Sequence, residues 1–114
     1  MEIPLTARAA VLTAFNEPLV IRNDYPVKQA KDLAPGECLV KLEYAGCCHS
    51  DLHIQRGDWA RKANIPVVLG HEGVGRVVAI GEHSAYTKIK TGDRVGCKWI
   101  ATSCLKYRLL YSGP

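Results

Sequence analysis

Two short stretches concentrate the reactive side chains of this 114-residue chain. In Cys47-Cys48-His49-Ser50-Asp51-Leu52-His53, two thiols, two imidazoles, a hydroxyl and a carboxylate are almost contiguous. Thiolate sulfur and imidazole nitrogen are the usual protein ligands of zinc. A neighbouring carboxylate is the usual group that fixes the tautomer and ring orientation of a ligating histidine. Alone, this segment leaves two readings open: a metal-ligating turn, or a loop of reactive side chains with no metal. The second stretch, Gly70-His71-Glu72, lies between an apolar segment and a glycine-rich, β-branched one. A single histidine there would be an ordinary core or surface residue more often than a ligand. The separation of Cys48 and His71 permits a loop-to-strand return that brings them together, so the two stretches carry more as a pair.

The elements that must position these residues are short. Ala7 to Ala14 reads as a mostly apolar strand, and Leu19-Val20-Ile21 as a second candidate. Lys28 to Glu37 is a polar loop with a Pro35-Gly36 turn signal. Cys38 to Ala45 alternates apolar and polar residues, as a half-buried strand does, and Gly46 breaks it. Ser50 to Arg56 is expected to form one or two helical turns, ended by Gly57. Pro66 makes Ile65 to Leu69 an edge piece or an extended connector. Gly73 to Ile80 is β-rich, Thr91-Gly92-Asp93 is a turn, and Arg94 to Trp99 is a further strand. Short strands, glycine turns and little helix predict a mainly β fold, a small barrel or sandwich. Gly73-Val74-Gly75-Arg76-Val77-Val78 is not a dinucleotide-binding fingerprint, because it lacks the third glycine and no helical pattern follows.

Composition removes several function classes. Net charge is +4 with the basic residues dispersed, so no basic arm for nucleic acid is present. A mild positive field still favours an anionic ligand. No apolar run approaches a membrane span. The start, Met1-Glu2-Ile3-Pro4-Leu5-Thr6, lacks the basic and apolar regions of a secretory signal. A cytoplasmic location is therefore expected. The five cysteines are odd in number and two are adjacent, which suits free or metal-bound thiols better than a disulfide framework.

Gly70-His71-Glu72, followed by Gly75, Gly81 and Ser84, matches the signature of the zinc-containing alcohol dehydrogenases at every defined position. Tyr44 to His53 resembles that family's first zinc-ligand segment, and Gly92-Asp93-Arg94-Val95-Gly96 resembles its GDRVG turn. The resemblance runs from about Ala7 to Cys104 and is nearest to the fungal, yeast-type tetrameric branch. It implies a GroES-like, partly open β-barrel with short helices, truncated at the C-terminus. Residues 1–114 would be an incomplete zinc-binding catalytic domain, with the Rossmann cofactor domain absent.

The same resemblance implies roles. Cys48 and His71 would be two of three catalytic zinc ligands, Glu72 a carboxylate that can approach the metal, and Asp51 the partner of His71. Ser50 and His53 would be the ends of a proton relay, and His49 a contact to cofactor phosphate. Trp59 and Trp99 would wall a small alcohol pocket, unless both are simply core. The implied reaction is oxidation of a small primary alcohol to an aldehyde with NAD, zinc acting as Lewis acid.

The chain also departs from the family. The third zinc ligand and the nicotinamide domain would lie beyond Pro114. The family's structural zinc lobe begins C-x2-C-x2-C, and here Cys104 is followed by Tyr107 and Leu110 at the next two positions, so that site is expected to be absent. Loss of that clip would leave Leu105, Leu109, Leu110 and Tyr111 without their usual setting, an expected aggregation risk. These points lead to a fragment that is inactive alone. The competing reading is a stand-alone zinc-binding or subunit-interaction module, in which Cys47 or Glu72 stands in as a ligand and the chain associates with full-length dehydrogenase subunits. A co-chaperonin-like barrel is a third reading, and it gives the Cys-His-Ser-Asp-His cluster no purpose.

Overall fold

The computed structural model describes residues 2–82, 84 and 88–99. Six strands and one α-helix follow in the order β1 (Thr6–Leu12), β2 (Val20–Pro26), β3 (Cys38–Ala45), α1 (His49–Arg56), β4 (Val67–Val68), β5 (Gly73–Ile80) and β6 (Arg94–Cys97). A single 3-10 turn, Ala30–Asp32, sits in the polar loop before β3. The mainly β expectation holds, and the barrel does not close. The strands form two separate three-stranded sheets, β2-β1-β4 and β3-β5-β6. All their pairings are antiparallel.

Period-two alternation explains where the core sits. Along β5, Gly75, Val77 and Ala79 are buried while Val74 and Arg76 face outward. Val77 and Ala79 join Val11 and Leu12 at the end of β1 as the buried hydrophobic residues. Fully burying a valine or leucine side chain contributes about 1.5–3 kcal/mol, so three such positions and one alanine make a small core. On the outer face of the second sheet, Glu43 of β3 accepts hydrogen bonds from Arg94 of β6 and Arg76 of β5. Those bonds, Arg94's first, and the charges of the two guanidinium groups hold the Glu43 carboxyl below its usual range.

Several boundaries move from the sequence expectation. β1 stops at Leu12, because the chain turns through Asn16 in the left-handed region at φ 62°. β2 runs on to Pro26 despite Arg22-Asn23-Asp24, which an exposed edge strand tolerates. Ile65 to Leu69 reduces to β4, two residues on the edge of the first sheet. β6 ends at Cys97, so Trp99 lies outside the strand expected to hold it. Gly73 to Val78 is strand throughout, as its rejection as a phosphate loop requires. Cys104, Tyr107, Leu110 and the apolar tail, with the structural-zinc argument built on them, lie outside the described residues.

The turn between β1 and β2 grips the helix of the reactive segment. Asn16 N–H donates to the Gln55 carbonyl at 2.9 Å, and Asn16 Nδ2 to the Arg56 carbonyl at 3.3 Å. In return Gln55 Nε2 donates to the Glu17 carbonyl at 2.9 Å. These bonds satisfy C-terminal groups of α1 that have no partner within the helix. Gly57 closes α1 in the left-handed conformation, φ 67°, against the Phe15 ring of the same turn.

Candidate metal centre

The β3–β5 ladder brings the two reactive stretches together. Its last registered pair is Ala45 with Gly73, and one step beyond it Gly46 N–H donates to the Glu72 carbonyl at 3.0 Å. The chain leaving β3 toward Cys48 therefore runs beside the chain that enters β5 from His71 and Glu72. Candidate ligand atoms of Cys48, His71 and Glu72 all lie within 4.8 Å of one another. Cys48 and His71 are half-buried, and Glu72 is exposed.

Helix α1 supplies the support. Cys48 is its N-cap residue, with extended backbone at φ −117° and ψ 155°. Asp51, three residues on, reaches back so that its Oδ2 accepts the Cys48 N–H at 3.0 Å. This satisfies a donor that the start of a helix otherwise leaves free. The other oxygen, Asp51 Oδ1, is buried without a hydrogen-bond partner. It lies 3.7 Å from His71 Nδ1, just beyond hydrogen-bond range. A buried carboxylate oxygen left unsatisfied is costly, and a ring N–H turned toward it is the available remedy. That tautomer leaves Nε2 of His71 free to ligate. One thiol, one imidazole and one carboxylate form a donor set that suits zinc, so these residues fit the metal that the sequence resemblance implies.

The other candidates line up from this cluster. The His71 ring packs edge-on to Trp99 at 4.4 Å between centroids. Trp99 contacts Trp59 at 5.7 Å, Trp59 stacks on His53 at 6.0 Å, and His53 meets His49 edge-on at 4.7 Å. The five rings form a row of pairwise contacts from His71 to His49, the residue that follows Cys48. Both tryptophans are exposed, 38% for Trp59 and 52% for Trp99. Ser50 is on the cluster side, where the Cys48 thiol donates to its Oγ at 3.6 Å. A cavity of about 400 Å³ lined by His53, Trp59, Arg61, Lys62 and Asn64 opens beside the middle of the row.

Of the two stand-in ligands weighed from sequence, Glu72 joins the cluster, whereas Cys47 is exposed and does not. Two residues of the site were not singled out from sequence. Asp58 Oδ2 lies 3.1 Å from His53 Nδ1, and the Asp58 N–H returns to the His53 carbonyl at 3.1 Å. Its signal was a carboxylate immediately after the helix-closing Gly57. Gly46 is the second, and its part depends on a steric contact that spacing does not reveal.

The chain is similar to known proteins over most of its length. The family described as "Alcohol dehydrogenase GroES-like domain" matches residues 34–111. An alcohol dehydrogenase of Rhizobium meliloti is 46% identical over 100 residues, covering 88% of this chain and 28% of that protein. One from Schizosaccharomyces pombe is 42% identical over 107 residues, covering 91% and 29%. Bacterial and fungal relatives are thus similar to the chain at comparable levels. Among solved structures, CAD from Helicobacter pylori, complexed with NADP(H), superposes with a TM-score of 0.71 at 26% identity, covering 91% of this chain and 28% of that one. The chain spans less than a third of the length of each of these relatives.

Proposed function

The chain belongs to the alcohol dehydrogenase family through its GroES-like domain, and from that premise we propose that it carries the metal-binding part of a zinc-dependent, NAD-linked centre for oxidising small primary alcohols. The observation that carries this reading is the convergence of Cys48, His71 and Glu72 beside the unpartnered Asp51 Oδ1. Cys48, His71 and Glu72 would hold zinc. When bound, zinc supplies Lewis-acid polarisation of an alcohol oxygen.

The remaining steps belong to the chain's own groups. Ser50 Oγ, beside the Cys48 sulfur, is placed to take a proton from an alcohol hydroxyl. His53, on the exposed rim and paired with Asp58, is placed to pass a proton to water. Ser50 contacts the Cys48 sulfur and His53 contacts Asp58, so the relay runs between them through a bridging group, for which the resemblance offers the cofactor ribose. His49 at the end of the row offers a cation, when protonated, to a cofactor phosphate. Trp59 and Trp99 exclude water from one side of the alcohol and favour small, apolar substituents. Zinc binding to the chain is tested by native mass spectrometry of the unmodified protein against C48S and H71N. One zinc per chain, lost in both variants, is expected. Zinc retained in both variants overturns the ligand assignment.

A further inference from the structure

Among the described residues, four glycines have positive φ: Gly36, Gly57, Gly70 and Gly92. Gly46 is not one of them, so its backbone conformation is open to any L-residue. Space is the constraint instead. A Cβ at position 46 would stand 3.1 Å from Cβ and 3.2 Å from Cδ of Glu72, and would overlap its Oε2. The obstructing atom is the far end of a flexible side chain. A methyl group there displaces the carboxylate, and the Glu72 Cβ must also give by a few tenths of an ångström. The carboxylate that would move is one of the three convergent groups.

We propose that Gly46 is a positioning residue for the metal centre, holding open the space in which the Glu72 carboxylate stands beside Cys48 and His71. The inference rests on the zinc reading above. Gly46 N–H bonded to the Glu72 carbonyl fixes the two backbones, and the missing side chain leaves the carboxylate room to turn inward. Residue 46 thereby governs whether the cluster offers three protein donors or two.

The test is a cobalt(II) titration of four forms of the chain, unmodified, G46A, E72A and G46A/E72A, with thermal unfolding of each metal-free form. G46A is expected to weaken cobalt binding by about ten- to a hundred-fold, the range for loss of a group supporting a metal site. E72A should weaken it comparably, and adding G46A to E72A should change affinity by less than about twofold, because contacting residues couple non-additively. Unmodified affinity in G46A overturns the inference, as does an equal loss from G46A in the presence and absence of Glu72. If G46A alone fails to fold, recovery of folding in G46A/E72A supports the steric account and continued failure overturns it. No cobalt binding by the unmodified chain overturns the zinc reading itself, and this inference with it.

Discussion

Asp51 serves two masters with its two oxygens, and substitution can separate them. Oδ2 caps α1 through the Cys48 N–H, and Oδ1 faces His71 Nδ1 from 3.7 Å. In D51N a side-chain oxygen remains to accept the capping bond, and the negative charge beside the imidazole is gone. The asparagine oxygen can keep the bond from the Cys48 N–H, so metal-free stability should change by less than the roughly 0.5–1.5 kcal/mol of a whole hydrogen bond. Zinc affinity should fall about ten- to a hundred-fold, the usual consequence of removing the carboxylate behind a ligating histidine. That loss corresponds to about 1.4–2.8 kcal/mol of binding free energy. D51A removes both functions and should add a loss of about 1 kcal/mol in metal-free stability from the missing hydrogen bond to the Cys48 N–H. Urea unfolding of the metal-free proteins measures the first quantity, and competition against a chromophoric chelator measures the second. The reasoning is refuted if D51N binds zinc as tightly as the unmodified chain, or if D51N and D51A destabilise the metal-free protein equally.

Three further outcomes are expected. G57A forces a Cβ into the left-handed region at φ 67°, against the Phe15 ring 3.2 Å away. It should cost at least about 1–2 kcal/mol, read as a lower thermal midpoint, and an unchanged midpoint would count against the cap. Acid should destabilise the chain partly through Glu43, whose folded pKa lies below its usual 4.5 because of Arg94 and Arg76. A depressed carboxyl pKa contributes stability above the usual value and loses it as pH falls through the folded one. The fall in thermal midpoint below about pH 4.5 should therefore be shallower in E43Q than in the unmodified chain, and parallel curves would remove Glu43 from the account. Finally, the 114-residue chain with NAD and ethanol is expected to give no NADH above blank, because the strands among the described residues pair antiparallel and do not form the parallel sheet of a dinucleotide-binding fold; clear turnover would contradict this.

The parts of the site legible in the sequence are those where chemistry is dense along the chain. Cys47 to His53 and Gly70 to Glu72 name themselves by composition, and the alternation of Cys38 to Ala45 and the β-rich run Gly73 to Ile80 identify the strands that bring them together. Less legible were elements whose residues obey context over pattern. β2 carries Arg22, Asn23 and Asp24 because it is an exposed edge, so its polar half did not read as strand. Trp99 fell outside β6 because the ladder with β5 ends at Cys97, and it turns to the rings of His71 and Trp59. Gly46 read only as a strand breaker, since its steric relation to Glu72 joins residues remote in sequence. The same remoteness leaves the choice between Cys47 and Glu72 open in the sequence, whereas in the structure Glu72 lies beside Cys48 and His71.

The central claim is that Cys48, His71 and Glu72 together hold one zinc ion. X-ray absorption at the zinc edge, on the chain loaded with one equivalent of zinc, tests it most directly. The account predicts a single sulfur at about 2.3 Å, with the other ligands nitrogen or oxygen at about 2.0–2.2 Å. A sulfur-free shell would remove Cys48 from the site, and a shell with two sulfurs would bring in a second thiol in place of the Glu72 carboxylate; either result contradicts the assignment.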